Sequence, residues 1–328
     1  MDTQGFQSFL QSRNLTDPQM EQYISIVIQF EEYLNTQIPP LSLETANAGT
    51  TQSFVDTLIL EGSNSYEHLL ALARYGRFCK NNILFVAILE LLDGAEAYEG
   101  LYQKVGEVLG MDKQQEIFKD CLVPPLGLSN QKKSRLIQVV MQRLEGMLNA
   151  ESRLRIFSSS FRDLQDEYYQ NDKKEYWEIG NIDQYLEIKR QKFIAELAQI
   201  MVGGGLFFSQ EITPEVIEFV RHNPEIEGGV RQGNLLYVTK IPYMAKQYLL
   251  ENDPDKKKYY LCHCPWARES LKNGEIAVSS NFCQCSAGFV KKSWEVIFGQ
   301  CLQCDMLESV LQGDLRCRFA IHLPAGLV

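Results

Sequence analysis

No stretch of this 328-residue chain approaches the roughly 20 consecutive apolar residues that a membrane-spanning helix needs. The opening MDTQGFQSFLQSRN also lacks the basic start and apolar run of a secretory signal. Both absences lead to the expectation of a cytoplasmic protein with no membrane partner. Positive charge is scarce: 32 Lys and Arg stand against 42 Asp and Glu, a formal charge of −10. That balance disfavours a nucleic-acid partner, since general binders set Lys and Arg against phosphates. Over the first 80 residues the shortfall is steeper, with nine acids against four bases. Catalytic patterns are missing too. No Ser-His-Asp or paired-carboxylate arrangement can be assigned from spacing. The run Met201-Val-Gly-Gly-Gly-Leu-Phe-Phe lacks the Lys-Ser/Thr that completes a phosphate loop. Its glycines are expected to serve a turn or a close backbone approach.

What the chain does contain is enough for two domains, each with its own core. Its apolar and charged fractions, 45% and 23%, are those of a globular protein. Phe6, Phe9 and Leu10 open an apolar stripe. Met20, Tyr23, Ile24, Val27, Ile28, Phe30 and Leu34 continue it, mostly at three- and four-residue spacing, as amphipathic helices do. Thr16-Asp17-Pro18 reads as a helix start, and Ser65 as an N-cap with His68 at the third helical position. Further helices are expected over 51–60, 65–80, 84–109, 132–150 and 182–200. Val123-Pro124-Pro125-Leu126-Gly127 is the clearest break. It sets a helical domain at 1–125 and a second domain at 126–328. Beyond Gly228-Gly229 the pattern turns mixed. Strands are expected at 235–241, 258–264 and 275–279, and helices at 242–250 and 286–298. A hairpin of 301–311 with 315–323 closes the chain around Gln312-Gly313-Asp314. The expected fold class is α+β: an all-helical N-terminal domain, then helices and a mixed, mainly antiparallel α/β domain.

Seven of the nine cysteines lie between Cys262 and Cys317. In a reducing compartment clustered thiols are more often metal ligands or reactive groups than disulfides, and an odd count argues against full pairing. Zinc takes thiolates in a tetrahedron, with four protein ligands in structural sites. Cys262 and Cys264, if on a strand, share one face. Cys283 and Cys285 precede a helix and complete a candidate set of four. Cys317 sits on the apolar face of its strand, where a cysteine also serves as a small packed hydrophobe. A reactive thiol is a second reading. The helix beginning near Ser286 would favour thiolate at its N-terminus, which makes Cys283 and Cys285 the catalytic candidates. A ligand pocket is a third. Trp266, Arg268, Phe289 and Trp294 are its candidate binding residues, and Arg316 and Arg318 could recognise a carboxylate.

Two stretches resemble known families. FQSFLQSRNL, MEQYISIVIQFEEYL and SYEHLLALARYGRFCKNN resemble the SAM-like core-binding domain at the front of phage integrases, but no Arg…His-x-x-Arg…Tyr set follows. The segment FCQCSAGFVKKSWEVIFGQCLQCDMLESVLQGDLRCRFAI resembles the end of the 4-vinyl reductase domain family. Ser286-Ala287-Gly288-Phe289 matches that family's small-residue helix start, Gly299 the helix end, and Gly313-Asp314 with Cys317-Arg318-Phe319 the closing hairpin. The region from about 130 is also similar to an uncharacterised bacterial family beside the L-2-amino-thiazoline-4-carboxylic acid hydrolases. The resemblance implies a small-molecule sensor, commonly dimeric. In the members that bind zinc, one Glu and three Cys are ligands. Two of those cysteine positions fall on Cys283 and Cys317; a third falls on Ser309, and Glu308 is only a neighbour of the Glu position. Cys262 and Cys264 would then supply what is lost, as a variant site.

The expected function is therefore a cytoplasmic, sensor-like protein that binds a small molecule, with a cysteine cluster holding zinc. The alternative is a hydrolase acting on a small heterocyclic or carboxylate substrate through a cysteine or a zinc-bound water. A DNA-associated adaptor using the integrase-like helices is the third reading.

Overall fold

The N-terminal stripe folds into helices whose ends the local sequence dictates. In this computed structural model, which describes every residue except Leu122, Ser158, Asp163, Asn273, Leu327 and Val328, the chain divides into two compact units. The first comprises Met1–Ala95 and Val123–Lys132. It contains α1 (Thr3–Gln11), α2 (Asp17–Asn35), α3 (Ala48–Glu61), α4 (Tyr66–Phe78) and α5 (Asn82–Leu92). Thr16 and Gln19 form a capping box at the start of α2, with Pro18 in the first turn, where its missing N–H costs nothing. Ser65 Oγ accepts from the His68 N–H at 3.2 Å and caps α4 as expected. The buried stripe includes Phe6, Leu10, Phe30, Val55, Leu72 and Leu84. Gly76 lets α4 and α5 touch: a β-carbon there would lie 2.9 Å from the Phe85 nitrogen.

The second unit comprises Glu96–Leu122 and Lys133–Val328. Its helices are α6 (Ala95–Leu109), α7 (Met111–Ile117), α8 (Asn130–Met147), α9 (Ala150–Phe157), α10 (Gln170–Ile179) and α11 (Ile182–Val202). The single helix expected over 84–109 is broken in two, because Gly94 takes a left-handed conformation at φ +73° between α5 and α6. After α11 come a short hairpin, β1 (Leu206–Phe207) and β2 (Gln210–Glu211), and α12 (Pro214–His222). Then follow β3 (Val230–Gln232), β4 (Leu235–Thr239), α13 (Ala245–Leu250), α14 (Pro254–Leu261), α15 (Gln284–Phe298), β5 (Cys304–Glu308) and β6 (Arg318–His322). The four-stranded sheet runs β3-β4-β6-β5, antiparallel throughout, with Tyr237 opposite Ala320 and Thr239 opposite Arg318. The chain is thus an α+β protein with a helical N-terminal region. No helix among the described residues is long and apolar enough to cross a membrane.

Two expected strands are absent. Residues 258–264 were expected to pair, but Lys258–Leu261 instead end α14. Asp253 caps that helix by accepting from the Asp255 N–H, and Pro254 occupies its first turn. These local start signals prevail over the β-propensity of Tyr259 and Tyr260. Glu275 belongs to a turn, and residues 276–279 follow it without regular secondary structure. The alternation that signalled a strand is real, since Ile276 and Val278 are buried and Ala277 is exposed, but no neighbouring strand completes a ladder. The closing hairpin forms as β5 and β6, with a bulge between Met306 and Glu308.

Candidate functional site

The thiols come from four places in the second unit. Cys262 caps the C-terminus of α14, and Cys264 follows it in a loop. Cys283 is the N-cap residue of α15, and Cys285 lies in its first turn. Cys317 immediately precedes β6. Cys262, Cys264, Cys285 and Cys317 pack on one hydrophobic core, in which Leu261, Phe161 and Phe282 are buried. Burial pushes the Cys262 thiol up, and the Cys264 and Cys317 thiols push it further. Cys283 is raised by burial and then by Cys262, Cys317 and Cys264. Cys264 is raised to about 11 by burial and by Cys285. Burial also raises Cys317, against a lowering by the Lys240 charge. These thiols form one electrostatically connected cluster. Cys301 is exposed on the surface, and Cys304 lies within β5, its thiol raised to about 12 by burial.

The cluster's hydrogen bonds are local. Cys262 Sγ donates to the Cys264 carbonyl at 3.8 Å. Phe161 N–H donates to Cys285 Sγ at 3.3 Å. The buried Ser309 lowers the Cys283 thiol against burial and the neighbouring thiols, while its own hydroxyl donates to Gln312 Oε1 at 3.3 Å. The cluster carries soft donors of the kind zinc takes, yet among the described residues no three Cys, His, Asp or Glu side chains gather as a metal-binding group. The chemistry of the donors fits the metal. The strand that would have aligned Cys262 with Cys264 is not formed. Glu308 is held elsewhere, by two hydrogen bonds of 2.6 Å from Arg316.

Cys283 stands at a helix N-terminus, where burial raises its thiol. His263 is depressed to about 3, by burial first and by Lys240 second. It is therefore neutral near pH 7. Its Nε2–H donates to the Ile241 carbonyl at 2.6 Å, which leaves Nδ1 without the proton.

The four aromatic and arginine candidates are dispersed. Trp266 is 1% exposed and stacks on Tyr98 with ring centres 4.9 Å apart. Trp294 belongs to a different core and meets Tyr185 edge-on at 5.8 Å. The buried Arg268 guanidinium lies 4.6 Å from the Tyr243 ring centre. Phe289 is on the surface, with the Lys240 ammonium 5.3 Å from its ring centre. None of the four lines either of two cavities in this unit.

One cavity, of about 360 Å³, lies between α6 and the 159–162 segment. The other, of about 330 Å³, lies next to the segments that carry Cys262 and Cys317. Leu261, the residue before Cys262, lines it, and so does Lys240, whose backbone N–H donates to the Cys317 carbonyl at 3.0 Å. Phe219, Ile226, Val230, Pro242 and Leu315 supply most of the remaining apolar wall, and Glu225, Thr239 and Arg316 are polar members. Arg318 grips Glu225 with bonds of 2.7–3.1 Å, and Thr239 Oγ1 donates to the same carboxylate at 2.7 Å. The two arginines singled out for carboxylate recognition thus bind the protein's own Glu225 and Glu308. The sequence had drawn no attention to Glu225, Thr239 or Lys240. Their only signal was position: Thr239 and Lys240 end an alternating strand, and Glu225 follows a helix.

No family model, no curated protein and no solved structure matches this chain.

Proposed function

We propose that the second unit is a small-molecule-binding, sensor-like module of a cytoplasmic protein. Its ligand occupies the cavity beside β4, next to the segments that carry Cys262 and Cys317. The observation that carries this reading is the cavity itself. Its volume, about 330 Å³, falls in the range of small-molecule sites, and its wall offers apolar and polar surface in about equal measure, to hold a ligand and to orient it. The 4-vinyl reductase resemblance points the same way. Zinc belongs to the reading as the ion for Cys262, Cys264, Cys283 and Cys285, with Cys317 beside them; what supports it is donor chemistry. The hydrolase alternative is the weaker one. Its cysteine would be a raised, half-buried thiol such as Cys283, and His263 has its Nε2–H committed to a carbonyl.

Binding is tested by amide NMR with a set of small fragments. Shifts should concentrate at Ile226, Val230 and Lys240. Val230→Trp, which puts an indole into the cavity, should abolish them. Shifts that cluster elsewhere, or that survive this substitution in folded protein, would remove the reading.

A further inference from the structure

The sulfur of Cys285 sits in a cradle. It lies in the first turn of α15, and its side chain is half-buried. Phe161 N–H donates to Cys285 Sγ at 3.3 Å. Ser160 Oγ accepts from the Arg162 N–H at 3.1 Å, which leaves the Ser160 hydroxyl proton for the same sulfur, 3.8 Å away. Close approaches at Gly100 of α6 and Gly288 of α15 fix this segment in place, since a β-carbon at either glycine would strike its backbone. Donors aimed at a sulfur support the thiolate, the form that attacks an oxidant, and so does the first turn of a helix. A second thiol accompanies this one. Cys264 is half-buried and packs on the same core as Cys285. It is also the thiol that the Cys285 charge raises. The other members of the cluster group differently. Cys262 is 3% exposed and donates to the Cys264 carbonyl, and the thiols that act on Cys283 are Cys262, Cys317 and Cys264. Half-buried sulfurs admit a small reagent more readily than a bulky one; the exposed cysteine is Cys301.

We propose that Cys285 and Cys264 form a redox-active dithiol that reacts with small hydroperoxides, with Cys285 as the attacking sulfur and Cys264 as the resolving one. The Cys285 thiolate attacks one peroxide oxygen. An S–O bond forms, the O–O bond breaks, and the departing oxygen takes up the proton that the thiol gave, leaving as water when the reagent is hydrogen peroxide. The product is a sulfenic acid. The Cys264 sulfur then attacks it. The S–S bond forms, the S–O bond breaks, and hydroxide leaves with the Cys264 proton as a second water. Two thiols are oxidised and one hydroperoxide is reduced. Neither step needs the cavity beside β4 or a metal on the cluster.

The probe is hydrogen peroxide, added in equimolar amount to the reduced full chain in a chelating buffer, with native circular dichroism as the check on folding. Products are mapped by tandem mass spectrometry of non-reduced peptides, and sulfenic acid is trapped with dimedone. Cys285 should be oxidised faster than Cys301 although Cys301 is the more exposed, and the disulfide should join Cys285 to Cys264. Cys264→Ser should leave a dimedone adduct on Cys285, whereas Cys285→Ser should leave Cys264 reduced. Ser160→Ala should slow Cys285 by about threefold to tenfold, the rate equivalent of one hydrogen bond, and leave Cys301 unchanged. Oxidation of Cys301 ahead of Cys285, or a disulfide that joins Cys264 to Cys262 or Cys283 instead, would overturn the dithiol. An unchanged Cys285 rate in folded Ser160→Ala would overturn the part given to the cradle.

Discussion

Gly288 shows how much one missing β-carbon can decide. A β-carbon built there would lie 1.9 Å from the Ser160 backbone nitrogen, so α15 and the 159–161 segment meet at a distance only glycine permits. The Gly288→Ala variant should lose about 1–3 kcal/mol of stability, the usual cost of overpacking, measured by urea unfolding. His263 makes a second test at this scale. Its folded pKa, about 3, lies below the ordinary value of 6.5. The unfolded chain therefore takes up this proton first as pH falls. Stability linked to His263 is complete above about pH 6.5 and is lost progressively between there and pH 3. The imidazole resonances should stay those of the neutral ring from pH 8 to about 5, and a midpoint near 6.5 in folded protein would refute the buried, neutral assignment.

Elements were legible where their signals were local. Ser65 was readable as a cap because the bond from the His68 N–H closes within three residues. Ser65→Ala should cost about 1 kcal/mol of helix stability, detectable by thermal unfolding followed by circular dichroism. The same local logic applied to Asp253 and Pro254, yet the aromatic pair Tyr259-Tyr260 and the alternation after it read as a strand. There the start signal lay several residues upstream of the segment it governs. The 275–279 segment fails differently: its alternation is correct, and what it lacks is a partner strand, which no local pattern reveals. For the site, the cysteine cluster was visible as a count. The cavity was not, because Glu225, Lys240 and Arg316 come from separate turns and strand ends and share no spacing.

At the scale of the molecule, metal content separates two states of the thiol cluster. Protein purified without added metal should carry about one zinc per chain by elemental analysis if the cluster is a structural site, and chelation should then lower its melting temperature. Folded protein free of zinc would leave Cys262, Cys264, Cys283 and Cys285 as packed thiols. The charge of −10 makes a second global expectation. Retention on duplex DNA should be absent even at low salt, and salt-dependent retention would revive a role for the integrase-like helices in DNA contact.

The 159–161 segment is held from both sides. A β-carbon at Gly100 of α6 would lie 1.9 Å from the Phe161 carbonyl oxygen, while Gly288 of α15 closes on Ser160, and Phe161 N–H binds Cys285, 124 residues further along the chain. Such a three-part lock cannot close until α15 has been synthesised and has returned to the start of the unit. Folding of this unit should therefore be gated by a late, long-range step rather than by its many local helices. Nascent chains that end before residue 284 would expose the apolar surface that α15 covers, and these are the forms on which chaperones should act.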